Sequence, residues 1–307
     1  MVLAGGWPGG PGFITVMKYG LKVKESLAIR SATPSGVWCI QKRTQDRFHS
    51  FIVITFPSRK TNSLVFEGQK FVSTFDLRLD ENESSLHVTR LWDNSVVQVM
   101  ASRVRHVTSN NLVRDIPIRG RIMRGASLPG GVQLVLLLVG GYVEYYELTA
   151  DGELKISKVF ELESDAVQID FAPPDPRSER PFSEMIAIGK TNYFVALYCN
   201  TPSGFQLSGQ VNVKHLIETV TFMKHRNGYE VVVGTTAGRM SKLAVNNGQL
   251  EIKSEEEVSK QPVRFTKIKV GDRVSLLQTY PSPTLFYQSH EREREWKLPL
   301  PPIEFFN

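Results

Sequence analysis

The feature that most constrains this chain is a unit that recurs along it: an apolar run, a tight turn, a second run, then a glycine-bearing turn into a third. Leu134–Val139 leads through Gly140-Gly141 to Val143–Leu148, and the turn Ala150-Asp151-Gly152 opens into Glu153–Ile156. Glu230–Gly234 leads through Ala237-Gly238 to Met240–Val245, and Asn246-Asn247-Gly248 opens into Gln249–Ile252. Between them Met185–Gly189, Tyr193–Tyr198 and Phe205–Leu207 repeat the pattern, with Pro202-Ser203-Gly204 as the turn. Gly152, Gly204 and Gly248 thus recur at roughly the 40 to 50 residue period of propeller blades. Each copy makes a small sheet with two apolar faces, which no single copy can bury. Stacking the copies around an axis covers both faces and leaves only short edges.

The expected fold is therefore all-β, a β-propeller of four-stranded blades. Six blades are expected at about residues 37–79, 84–118, 120–164, 165–214, 215–260 and 261–302, by the repeat period. Ile303-Glu304-Phe305-Phe306 would begin a seventh, so about six complete blades of a seven-bladed ring are expected, open at one place unless another segment closes it. Residues 1–36, which begin with a Gly/Pro-rich stretch lacking the basic start and apolar core of a signal peptide, read as a connector and leading strand. Residues 37–307 read as the propeller. Phe51–Phe56 has the continuous β-branched and aromatic character of a strand covered on both faces. His215–Lys224 is the best helical candidate, but its Val220-Thr221-Phe222 centre favours a strand. Clustered prolines make Pro173–Pro181 a loop within the fourth blade.

No apolar run approaches the length of a membrane span. Cys39 and Cys199 each sit in a strand-like run, which predicts two buried free thiols in a reducing compartment. The six histidines are scattered without metal-ligand spacing, and no nucleophile elbow, P-loop or dinucleotide fingerprint occurs. No enzyme activity, cofactor, metal or small-molecule substrate is expected. The net charge of +6 comes from dispersed Lys and Arg. Two stretches are candidates for contact with a protein or RNA, or are ordinary solvated loops: Gln41–Arg47, with Lys42 and Arg43, and Arg114–Arg124, with Arg119, Arg121 and Arg124. Glu291–Trp296 alternates in sign and reads as a self-neutralising outer strand. No aromatic interleaving accompanies the basic stretches, so a base-stacking platform is weakly supported.

The opening Gly12-Phe-Ile-Thr-Val-Met-Lys-Tyr-Gly-Leu-Lys-Val23 resembles the segment that leaves the first propeller in the large triple-propeller scaffold proteins. These are the large subunits of splicing factor 3b, of damaged-DNA-binding protein and of cleavage and polyadenylation specificity factor. Val37-Trp38, Lys42-Arg43, Asp46-Arg47-Phe48 and the strand Phe51–Phe56 follow in the order found in the splicing factor 3b branch. Gly140-Gly141-Tyr142-Val143-Glu144-Tyr145-Tyr146-Glu147 with Gly152-Glu153-Leu154, and Tyr287-Gln288-Ser289, are similar to the same branch. The resemblance implies the middle propeller of such a protein, mobile and outward-facing, while the first and third propellers clasp partners. It further implies a non-catalytic nuclear scaffold in pre-mRNA splicing, with other splicing factor 3b subunits and spliceosomal proteins as partners and RNA reached through the complex. An adaptor of a DNA-damage ubiquitin ligase, a cleavage and polyadenylation subunit, and a direct RNA-binding module are the alternatives.

Overall fold

In the computed structural model, residues 2–5, 13–17, 25–28, 33–57, 60–68, 70–174, 180–201, 204–225, 228–270, 273–280, 283–288 and 295–299 are described. They form 27 strands, and no helix occurs among the described residues. Two units are present, Met1–Glu161 with Asp175–Phe182, and Leu162–Pro174 with Ser183–Asn307.

The first unit begins with a three-stranded sheet, β1 (Val2–Gly5), β2 (Phe13–Met17) and β3 (Glu25–Ala28). Three four-stranded antiparallel meanders follow. They are β4 (Gly36–Gln41), β5 (His49–Phe56), β6 (Lys60–Glu67) and β7 (Lys70–Ser73); β8 (His87–Arg90), β9 (Val96–Val99), β10 (Arg103–Val107) and β11 (Val113–Pro117); and β12 (Ile122–Ser127), β13 (Gln133–Leu138), β14 (Tyr142–Leu148) and β15 (Leu154–Glu161). The second unit holds three more: β16 (Ala166–Phe171), β17 (Met185–Lys190), β18 (Phe194–Thr201) and β19 (Gly204–Asn212); β20 (Ile217–His225), β21 (Gly228–Thr235), β22 (Arg239–Asn246) and β23 (Gln249–Glu257); and β24 (Arg264–Val270), β25 (Arg273–Tyr280), β26 (Thr284–Gln288) and β27 (Glu295–Pro299). The six four-stranded sheets coincide with the six expected blades. Ile303–Phe306 and Glu291–Arg294 lie outside the described residues.

Within each unit, alternate residues of a strand enter different apolar clusters, as the period-2 geometry of a strand requires. On β5, Phe51 and Val53 pack with Val88, Val96 and Val107 of the second sheet, whereas Ile52, Ile54 and Phe56 form a separate cluster with Val37, Leu64 and Phe71. On the second sheet Val97, Val99 and Val104 turn to Leu134, Leu136 and Leu138 of the third. In the second unit Val231 and Val233 pack with Val220, Phe222 and Val195, and Val232 packs with Phe265, Leu276 and Phe286. Fully burying each such side chain contributes about 1.5–3 kcal/mol. First strands adjoin: β4 with β8 and β8 with β12 in one unit, β16 with β20 and β20 with β24 in the other.

The fully buried Gln98 finds its partners within a connector. The Gln98 side chain accepts from Asp80 N at 2.7 Å, and its Nε2 donates to Asp80 O and Ser85 Oγ, both at 2.9 Å. Ser85 N in turn donates to Thr55 Oγ1 at 3.0 Å, which ties the segment after β7 to both flanking sheets. Residues 180–182, although they follow β16, belong to the first unit; there Arg180 donates to Leu148 O at 2.8 Å and Phe182 packs on the core beside Leu148.

Both thiols are free, but Cys39 and Cys199 are half-buried instead of fully enclosed. Cys39 lies on the first strand of its sheet, where Gly36–Cys39 are all partly accessible. Desolvation nonetheless pushes its thiol up to about 11.

The turn glycines Gly152, Gly204 and Gly248 have φ of 77°, 93° and 78°, so the left-handed turns read from sequence are present. Gly238 is more tightly held. At φ 76° its carbonyl accepts from Val258 N at 3.0 Å and Ser259 N at 3.1 Å, and a Cβ would run into the Ser259 carbonyl. Gly68 has a similar φ of 66°, but nothing lies within 4 Å of its Cβ position. Chemical denaturation of Gly238→Ala is therefore expected to show a loss of about 3 kcal/mol or more, against about 1 kcal/mol for Gly68→Ala, where only the backbone preference is paid. Equal losses would refute the close-approach account.

Candidate protein-interaction groove

Three loops meet at one end of the first two sheets. They are the β4–β5 loop (residues 42–48), the β8–β9 loop (91–95) and the β10–β11 loop (108–112), and Asp76 and Leu77 from the segment after β7 complete the wall. Between them lies an open groove of about 290 Å³, lined among others by Lys42, Arg43, Arg90, Asp93, Asn94 and Asn111.

The loops are shaped by their own polar groups. Arg43 N donates to Asp46 Oδ2 at 2.8 Å while Asp46 N donates to Arg43 O at 3.0 Å, closing a local turn. Gln41 Nε2 donates to Asp46 O at 2.7 Å. Asn94 and Asn111 sit at loop tips with φ of 68° and 62°, a conformation that asparagine tolerates better than most residues. Cross-links then hold the loops together: Thr44 N donates to Asn94 Oδ1 at 2.8 Å, Arg90 Nε to Gln41 O at 2.7 Å, and Arg78 Nη1 to Asn111 O at 2.9 Å. Arg90 also bonds the Asn94 carbonyl. Burial lowers the Arg90 pKa from its ordinary value, and Asp46 and Asp93 oppose that shift. Beside the groove, Phe48 and Phe75 are 71% and 74% exposed, Trp92 is 37% exposed, and the Arg47 guanidinium lies 5.5 Å from the Phe48 ring centre.

The five residues singled out from sequence do not form one site. Lys42 and Arg43 line the groove. Gly130 N donates to Arg90 O and Trp92 N to Gly131 O, both at 3.0 Å, which places the β12–β13 loop at the groove end. The start of β12 is at the other end, where Ile118 N donates to Ser102 O at 3.0 Å and Ile122 N to Ala101 O at 2.8 Å. Arg119 and Arg121 are exposed there, beside Val139, whose N–H donates to Arg121 O at 2.9 Å. Arg124 lies on β12 itself, near His87. Sequence reasoning missed Arg90, Asp93, Asn94 and Asn111. The run Leu91-Trp92-Asp93-Asn94-Ser95 between two strand patterns was a legible signal, since it places a tryptophan in a turn. Among the described residues no cluster of His, Cys, Asp and Glu is arranged to hold a metal ion.

Residues 29–304 match the family model described as the RSE1/DDB1/CPSF1 second beta-propeller. The chain belongs to this propeller family. Its relatives include spliceosome-associated protein 130 A of Arabidopsis thaliana, 24% identical over 69% of this chain, and splicing factor 3B subunit 3 of Danio rerio, 24% identical over 62%. DNA damage-binding protein 1 of Solanum lycopersicum is 22% identical over 92% of the chain. The aligned stretches span only 17%, 15% and 26% of the lengths of these three relatives.

Within the propeller, His87 joins the second and third blades: its Nε2 lies 2.8 Å from Ser127 Oγ. Desolvation, and secondarily the Arg124 charge, pushes its pKa down from 6.5 to about 4. Between those values the unfolded chain binds a proton that the folded chain does not, so stability falls as pH drops through this window. Burial lowers His49 and His106 as well, in the same direction. Thermal melts between pH 7 and pH 4 are expected to show a decline that is shallower in His87→Gln than in the wild type. Parallel profiles would show that His87 titrates normally in the folded state.

Proposed function

We propose that this propeller is a non-catalytic protein-interaction module of a splicing factor 3b assembly, acting in the nucleus in the particle that recognises the intron branch site. The observation that carries this reading is the recurrence of splicing names among its relatives, from spliceosome-associated protein 130 to splicing factor 3B subunit 3 and the pre-mRNA-splicing factor rse1 of Emericella nidulans. The partners would be other splicing factor 3b subunits and spliceosomal proteins. On this reading residues 37–307 are a middle propeller built as six blades of a seven-bladed ring, and residues 1–36 lead into it. The loop groove supports an interaction role, because stacked blades hold variable loops rigidly while the loops carry the contacts.

The test is affinity purification of the tagged protein from nuclei, followed by mass spectrometry. Spliceosomal proteins are the expected co-purifying set. Recovery of a cullin ubiquitin ligase without them would favour the adaptor reading, for which the alignment to DNA damage-binding protein 1 over 92% of the chain is the specific support. Cleavage and polyadenylation factors in their place would move the pathway again.

Direct RNA binding is a second reading, motivated by exposed Arg119, Arg121 and Arg124. It predicts that replacing all three with Ala weakens binding to a single-stranded RNA and flattens its salt dependence, by about 0.7 log units per log salt for each phosphate no longer neutralised. Unchanged affinity and slope would remove this reading.

A further inference from the structure

We propose that the groove between the first two blades receives an acidic segment of a partner protein, one that also carries aliphatic or aromatic residues. The inference rests on the interaction-module reading but not on the pathway assigned to it.

The cations lining the groove differ in their pairing from the arginines of β10 and β11 outside it. Arg103 and Arg105 pair with Asp80, and Arg114 pairs with Glu153. The Lys42 and Arg43 side chains, by contrast, are exposed and have no carboxylate partner among the described residues. The nearest acid in their loop, Asp46, is committed to the Arg43 backbone N–H. Arg90, also in the lining, gives its donors to backbone carbonyls and forms no direct ion pair among the described residues, and the nearby Asp46 and Asp93 carboxylates offset part of its charge. A carboxylate entering here is attracted to the exposed Lys42 and Arg43, and Asp76 and Asp93 in the same lining confine it to them.

The remaining features specify a peptide. The groove's 290 Å³ falls at the lower edge of small-molecule pockets, and its openness to solvent suits one or two side chains of a longer ligand. Asn94 uses its side-chain carbonyl on Thr44, and its amide N–H₂ has no acceptor among the described residues, which makes it a donor for a ligand carbonyl. Exposed Phe48 and Trp92 belong to the same loops, and exposed Phe75 precedes Asp76 of the lining. Exposed rings of this kind are the usual anchors of protein interfaces, and they would cover apolar residues on either side of the acid. RNA fits less well. A phosphodiester chain carries a charge at every nucleotide and would have to pass Asp76 and Asp93 in the same lining, whereas a peptide places carboxylates only where the cations stand.

The experiment is selection of a random-peptide phage library on the purified protein, followed by affinity measurements with the consensus peptide. Enrichment of Asp or Glu beside Phe, Leu or Trp is expected. Lys42→Glu/Arg43→Glu should weaken that peptide by about tenfold, and a peptide with its acids exchanged for Lys should regain affinity for this variant. Phe48→Ala should also weaken the peptide. Because these side chains are exposed, melting temperatures should stay at the wild-type value, which separates a weakened interface from a failure to fold. The proposal is overturned if no peptide is selected, if the selected peptides lack acids, if charge reversal leaves affinity unchanged, or if oligouridylate RNA occupies the groove more tightly than the peptide. A cullin in the nuclear purification would retire the splicing assignment and leave a positive peptide result standing. A library without acidic enrichment would do the reverse.

Discussion

Every blade of this protein is a sheet with two apolar faces, and that constraint governs the rest. A four-stranded meander alone would leave half of Phe51–Phe56 or Val231–Val233 in water, because neighbouring residues on a strand point to opposite sides. The second blade shows the solution most plainly. Val96 and Val107 belong to the core shared with the first blade, and Val97 and Val104 to the core shared with the third. Stability therefore resides in contacts between neighbouring sheets, and the loops at the blade ends are released from that duty. Lys42, Asn94 and Asn111 can occupy those loops because no core depends on them.

The same arrangement must keep the outermost strands from pairing with other chains. β15, β19 and β23 are long and largely exposed. Each carries one extra residue in the middle, Ser157, Ser208 and Lys253 respectively, where the register to the inner strand shifts. A second shift occurs near the start of the first strand in the same blades, at Met123, Val167 and Glu218. Such bulges increase local twist and interrupt the flat edge that a foreign strand would need. The repeat is thus deeper in the backbone than in the residues, since Ser, Ser and Lys, or Met, Val and Glu, share no side-chain property that marks them as equivalent.

The groove follows from where consecutive blades leave their loops. The turn after β4 and the turns after β8 and β10 end at one level, and Thr44, Arg90 and Arg78 bind them across the gap. Exposed Lys42 and Arg43 then stand on the first-blade loop, whose one acid, Asp46, accepts the Arg43 backbone N–H instead of pairing with either side chain. The protein's modest excess of Lys and Arg gains local meaning only through this geometry.

The strand content and the six four-stranded sheets with their limits were legible in the sequence, because period-2 apolar runs and the positive-φ turns at Gly152, Gly204 and Gly248 are local properties of the chain. The His215–Lys224 ambiguity was also resolved correctly by its β-branched centre, which lies in β20. The site was legible only in part. Lys42 and Arg43 could be named as exposed cations, yet Arg119 and Arg121, read the same way, stand at the opposite end of their unit. Composition carries no record of which loop ends share a level, nor that Asp93, Asn94 and Asn111 close the groove. Those facts depend on residues about 50 positions apart being brought together by sheet stacking, and only the tertiary structure decides that, because the contacts that do it run between blades.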